Sequence, residues 1–188
     1  MTASFEIAFN ATMGHEGGYV NDPDDRGGET FRGISKVHHP DWSGWFTISD
    51  AIAEGLPIPD LDLLVMSFYK KQYWDKFDGD KLPQAIANEL FDTAVNMGTR
   101  IAVRFLQKSL NVANRNQSLF PDLTVDGKYG AKTGTAVNAL TNESDFILKL
   151  MNVLQGARYI EIMTKNLPQE KYARGWFNRV QIGKDNSH

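Results

Sequence analysis

Apolar residues near the start of the chain recur at the spacing of a helix. Phe5, Phe9 and Met13 step by four, Ser4 stands where an N-cap is wanted, and Gly17–Gly18 supplies a stop. Residues 19–34 have no such period. Pro23, several Asp and Gly27–Gly28 lie between the short runs Tyr19-Val20-Asn21 and Thr30-Phe31-Arg32, which predicts a small hairpin or ordered loop. The stretch 40–59, with Trp42, Trp45, Pro57 and Pro59, reads as loop. Asp60 then caps a helix carrying Leu61, Leu64, Val65 and Phe68 that runs to Trp74.

Pro83 fits the first turn of a helix over 83–97 closed by Gly98. Ile86, Leu90, Phe91, Ala94 and Val95 cover more than one of its sides, so this helix is expected to be central and buried. Thr99 caps another, ending at Leu110. A polar loop over 111–130 leads to a short helix near 131–140, with a cap near Thr133. A long helix over 143–166 and a last short one holding Trp176 and Phe177 complete the chain. The pattern predicts a mainly α fold with one small β-hairpin or ordered loop after the first helix.

Composition narrows the function classes. The chain of 188 residues, 41% hydrophobic and 23% charged, can bury a core without staples. The absence of cysteine excludes disulfides and thiolate metal sites. No apolar run approaches the roughly 18 residues of a membrane span, so no membrane insertion is expected. The first 13 residues hold no Lys or Arg and lack the basic start of a secretory signal. Synthesis in the cytoplasm without a signal peptide, and export by another route, is the corresponding expectation. Basic residues are scattered and the pI is about 5.8, which speaks against nucleic acid. No cofactor or metal is expected, and a monomer is favoured. His38–His39 has no third ligand at useful spacing. A calcium loop starting at Asp22 would put Arg26 at its fifth position and Gly33 at its twelfth.

The net charge of −3 hides an asymmetry. Residues 1–93 hold 7 basic against 16 acidic residues, a balance of −9, and residues 94–188 hold 13 against 7, a balance of +6. An acidic half joined to a basic half suits acid chemistry in one part and contact with an anionic polymer in the other; it equally serves solubility alone.

Glu16 continues the stripe of Phe5, Phe9 and Met13 and sits at a helix C-terminus. Desolvation and the negative end of the helix dipole both disfavour its charged form, and a carboxylic acid still protonated near neutral pH can protonate a glycosidic oxygen. The competing reading is a helix-end Glu that swings into solvent. Glycoside hydrolysis wants a second group across the scissile bond. Asp22, Asp24, Asp25 and Thr30 follow on the turn-rich segment, and Asp there also builds turns without any catalysis. Eight residues separate Glu16 from Asp25 and four separate Asp25 from Thr30. This resembles the Glu, Asp and Thr triad of phage-type lysozymes, with the second gap one residue shorter.

The run from His15 to Ile34, with Glu16-Gly17-Gly18-Tyr19 at its start, resembles the signature of glycoside hydrolase family 108. The resemblance extends through Phe91-Asp92-Thr93-Ala94-Val95-Asn96-Met97-Gly98. It continues into a region similar to a peptidoglycan-binding-like domain, at Val125-Asp126-Gly127-Lys128-Tyr129-Gly130 and Gly175-Trp176-Phe177-Asn178-Arg179. It implies a lysozyme-like two-lobed fold, with a catalytic region over 1–92 packed against a helical peptidoglycan-binding-like region over 93–188. It also implies a muramidase acting on peptidoglycan glycan strands, with Glu16 as the acid and Asp25 and Thr30 as its partners. A lytic transglycosylase and a non-catalytic wall-binding or secretion-accessory module are the alternatives.

Further substrate contacts are expected from Tyr19 and from Asp92 and Asn96, which stand four apart on one helix face. Asp92 and Asn96 also have the reading of satisfying each other inside a buried helix. Tyr69, Tyr73 and Trp74 form an aromatic stripe that suits either sugar stacking, at Trp74 above all, or the core.

Overall fold

In the computed structural model, which describes residues 2–14, 18–21 and 28–181, the first apolar stripe forms helix α1 (Phe5–Met13). Phe5 and Phe9 bury against the core, and Gly14, at φ +54°, ends the helix three residues before the expected stop. Ser4 occupies the N-cap without a side-chain cap bond; its backbone is instead gripped by Gln84, which accepts from the Ser4 amide and donates to its carbonyl.

Three two-residue strands follow: β1 (Tyr19–Val20), β2 (Thr30–Phe31) and β3 (Ile34–Ser35), antiparallel in the order β1-β2-β3. Val20 faces Thr30 and Thr30 faces Ser35, while Tyr19 faces Phe31 and Phe31 faces Ile34. Residues opposite each other share a face, so Tyr19, Phe31 and Ile34 line the core side and Val20, Thr30 and Ser35 the other. The β2–β3 link is the two-residue turn Arg32-Gly33, both with positive φ, which matches the twist of a tight hairpin. Tyr69 braces it by donating to the Arg32 carbonyl at 2.9 Å, and a Cβ on Gly33 would lie 2.7 Å from that hydroxyl.

The stretch read as loop over 40–59 instead contains helix α2 (Gly44–Ala53). Trp45, Ile48 and Ala51 bury one face, and Pro57 and Pro59 lie beyond its end. Helix α3 (Asp62–Gln72) begins after Asp60, whose carboxylate accepts the Asp62 amide, and 3-10 turns over Trp74–Phe77 and Gly79–Lys81 replace its expected last turn.

Helix α4 (Gln84–Met97) is the axis of the molecule. Ile86, Ala87, Leu90, Phe91 and Ala94 have no exposed surface, and α4 packs against α1, against α5 (Thr99–Ala113) and against α7 (Ser144–Lys165). Pro83 precedes the first turn, and Gly98, at φ +88°, ends the helix and caps α5 in place of Thr99. Helix α6 (Ala131–Ala139) starts after Gly130 with Thr133 buried inside it, so the cap expected near Thr133 is three residues late. Helix α8 (Ala173–Phe177) closes the described fold, its Trp176 stacked on Tyr159 of α7 at 5.0 Å.

The fold is mainly α with a small antiparallel sheet after α1, the lysozyme-like arrangement expected. Among the described residues no helix is long and apolar enough to cross a membrane.

Candidate active site

Of the residues expected to carry the chemistry near the first helix, Tyr19 and Thr30 lie in the small sheet. Glu16 and Asp25, with His15, Asp22 and Asp24, lie outside the described residues. The register that would carry the apolar stripe of α1 on to Glu16 ends with the helix: Gly14 turns the chain out of helical geometry, so the α1 face does not fix the direction of the Glu16 side chain. Asn21 directly follows β1 and Gly28 stands two residues before β2, and the two strands are tied together by the Val20–Thr30 pair. Thr30 is partly exposed on the side of the sheet away from the core, whereas Tyr19 is on the core side and packs against it. The turn beside them is held twice at Arg32, by Tyr69 on its carbonyl and by an ion pair from its guanidinium to Asp62. Burial raises the Tyr69 phenol, which stays a neutral donor.

Trp74 does not serve as a sugar platform. Its ring has no exposed surface, it packs edge-on against Phe5 at 5.6 Å, and its indole N–H donates to Asp80 at 2.8 Å. A ring enclosed by Phe5, Phe77 and Phe91 offers no face to a ligand. Tyr69 is likewise core, and Tyr73 is half-buried. Asn96 is exposed and donates to the backbone carbonyl of Asp92, so the two side chains do not satisfy each other.

Asp92 belongs to a buried polar seam. Its carboxylate accepts from Arg179 at 2.6 Å and from Gln155 at 3.1 Å. One turn earlier Glu89, only 8% exposed, accepts from Thr93 and from Asn152 of α7. Burial, reinforced by the charge of Asp92, raises the Glu89 carboxyl to about 7 against the hydrogen bonds that favour its charge. Glu89 therefore exchanges its proton near neutrality. A cavity of about 270 Å³ adjoins it, bounded by Ala11 and Thr12 of α1, Asn88, Leu148 and Asn178. Sequence reasoning missed Glu89, because a helical Glu reads as solvated; its signal was its place one residue before Leu90 and Phe91 on a helix apolar on more than one side. Among the described residues no three His, Asp or Glu side chains cluster as metal ligands would.

Residues 9–98 match the family model described as Glycosyl hydrolase 108, and residues 101–181 match one described as Predicted Peptidoglycan domain. Among solved structures, SagA from Brucella abortus is similar over 98% of each chain, at 23% identity and a TM-score of 0.54, which is a likeness of fold. No curated protein matches the chain.

Proposed function

We propose that this chain, which belongs to the glycosyl hydrolase 108 family through residues 9–98 and carries a predicted peptidoglycan domain over 101–181, is a muramidase. It would hydrolyse the β-1,4 bond between N-acetylmuramic acid and N-acetylglucosamine. Residues 1–92 supply the catalytic region and 93–188 the wall-binding one. The observation that carries this reading is the match over 9–98, a span that includes Glu16, Asp25 and Thr30. Glu16 donates its proton to the leaving oxygen. Asp25 steers water or stabilises the oxocarbenium-like transition state, and Thr30, on the sheet side turned from the core, assists it. Of the other expected contacts, Asn96 is exposed enough to meet a sugar, whereas the Asp92 carboxylate is already committed to Arg179 and Gln155.

Mass spectrometry of the muropeptides released from purified sacculi tests the reaction. Hydrolysis leaves reducing ends; anhydro ends identify a lytic transglycosylase instead, and no release leaves only a wall-binding module. Glu16→Gln should lower release by roughly 10²–10⁴-fold while keeping the circular dichroism of the parent. A variant that keeps more than half of the parent's rate would remove Glu16 from the mechanism.

A further inference from the structure

Arg100, Arg104 and Lys108 stand four apart on α5, a spacing that aligns them on one face with a cation about every 6 Å. All three are exposed, and among the described residues none makes an ion pair. Together with Arg158 of α7 they rim a groove of about 600 Å³. Its floor is apolar, built from Ile101, Phe105 and Leu154. The one carboxylate at the rim, Glu161, is already shared by Arg158 at 2.7 Å and Lys165 at 2.6 Å, so it neutralises neither α5 arginine.

The row is braced from behind by the Asp126-Gly127-Lys128 turn. Gly127 has φ +76°, and a Cβ there would lie 2.6 Å from Arg100 Cγ and 3.0 Å from Arg104 Cγ. The turn backbone therefore lies directly on the aliphatic stems of both arginines, and Arg100 Nε donates to the Asp126 carbonyl at 3.4 Å. Buried Gln107 fixes the turn in place, accepting from the Gly127 amide at 2.9 Å and donating to Asp126 Oδ1 at 3.0 Å. Long cations on an open surface normally lose rotamer freedom on binding; stems already packed against a turn lose less.

We propose that this groove docks the free carboxylates of peptidoglycan stem peptides, at a site separate from the glycosidic chemistry; the assignment rests on peptidoglycan being the substrate. Repeated carboxylates suit a periodic cation row, and the alanine methyls of a stem suit the apolar floor. The Val125–Gly130 motif thereby acquires a role, as the brace of the row rather than the contact itself.

Sacculus pull-down of the full chain across a salt series tests this, on untreated walls, on walls whose carboxylates are converted to neutral amides, and on walls stripped of phosphate polymers. Arg100→Gln with Arg104→Gln and Lys108→Gln should weaken binding to untreated walls about tenfold, the order that three exposed ion pairs supply together. Amidated walls should cost the parent the same, and phosphate stripping nothing. Should the triple variant fold poorly, Lys108→Glu alone, at the exposed end of the row, should weaken binding about threefold, again the order of exposed pairs. Parent-like binding by the folded variants, undiminished binding to amidated walls, or loss on phosphate stripping would each overturn the assignment. The readout is binding, so a chain that releases no muropeptides yet binds in this pattern would sink the muramidase reading and leave the groove standing.

Discussion

Residues 36–43 and 114–130 are both irregular, yet aromatic rings anchor the first and side-chain amides the second. Trp42 stacks on Phe31 at 5.9 Å and meets Trp45 edge-on at 5.2 Å, while His39 packs on Phe68 at 4.8 Å. The second segment is held by Gln107 and Asn111 of α5 and by Asn114 at its C-cap, which bond the loop backbone directly. Asn111 exchanges two hydrogen bonds with Leu123, and Asn114 accepts from the Leu119 and Phe120 amides while donating to the Phe120 carbonyl. Rings hold a loop by area, which is large and tolerant of small shifts. Amides hold it by direction, with less free energy per residue but with a particular loop carbonyl or N–H bound at each contact. The ring-held segment lies beside the sheet and Thr30; the amide-held one carries the turn that braces the arginine row.

The largest effect should come from the ring side. Trp42→Ala removes a side chain that is only 8% exposed and touches three rings, and should cost about 3–5 kcal/mol in urea unfolding. A loss under about 1 kcal/mol, the size of an ordinary substitution, would mean that the rings fill space without anchoring the loop.

The amide side should lose less but more locally. Gln107→Leu keeps the volume and strips the partners of the Gly127 amide and of the Lys128 carbonyl. It should cost about 2 kcal/mol, the penalty of a buried group left unpaired. Amide exchange should speed at Gly127 and Lys128 while α4 stays protected. Uniformly faster exchange would erase the contrast between direction and area.

These two holding modes also explain what could be read in advance. The stripe of α1 and the all-round apolar α4 were legible because burial imposes the period that sequence displays. Helix α2 was not: its buried positions are only Gly44, Trp45, Ile48 and Ala51, and the tryptophans and prolines around it imitate loop composition. Trp74 was ambiguous in principle, since an aromatic at a helix end fits a cleft or a core and only its neighbours decide. The partners of Gln107 and Asn114 carry no sequence signal, because their bonds go to backbone that any residue possesses. For the candidate site, the residues of the Glu16 and Asp25 run were legible as a motif, while the direction of Glu16 rested on a helix that stops at Met13.

The smallest effect sits at the seam where the two halves meet, and it tests whether amides there hold a charge or a neutral acid. Glu89 has a carboxyl raised to about 7, against an ordinary value near 4.5 in the unfolded chain. Between those values the folded protein holds the extra proton, so unfolding free energy falls as pH rises from about 4.5 to about 7 and is flat above. The penalty is thus absent in mild acid and complete at pH 8, where it amounts to roughly 3 kcal/mol. Glu89→Gln keeps an acceptor for Asn152 and a neutral group beside Thr93, and cannot ionise. It should stabilise the protein by about 1–2 kcal/mol at pH 8, part of the penalty being retained as the cost of burying an amide. At pH 4.5, where the parent carries no ionisation penalty and the buried amide still costs, it should be about 1–2 kcal/mol less stable than the parent, so that the two curves of unfolding free energy cross on acidification. Parallel curves would show that Glu89 ionises freely in the fold. A variant less stable than the parent at pH 8 would show that Asn152 and Thr93 are arranged for the carboxylate, making the seam a built anion site and not a desolvated acid.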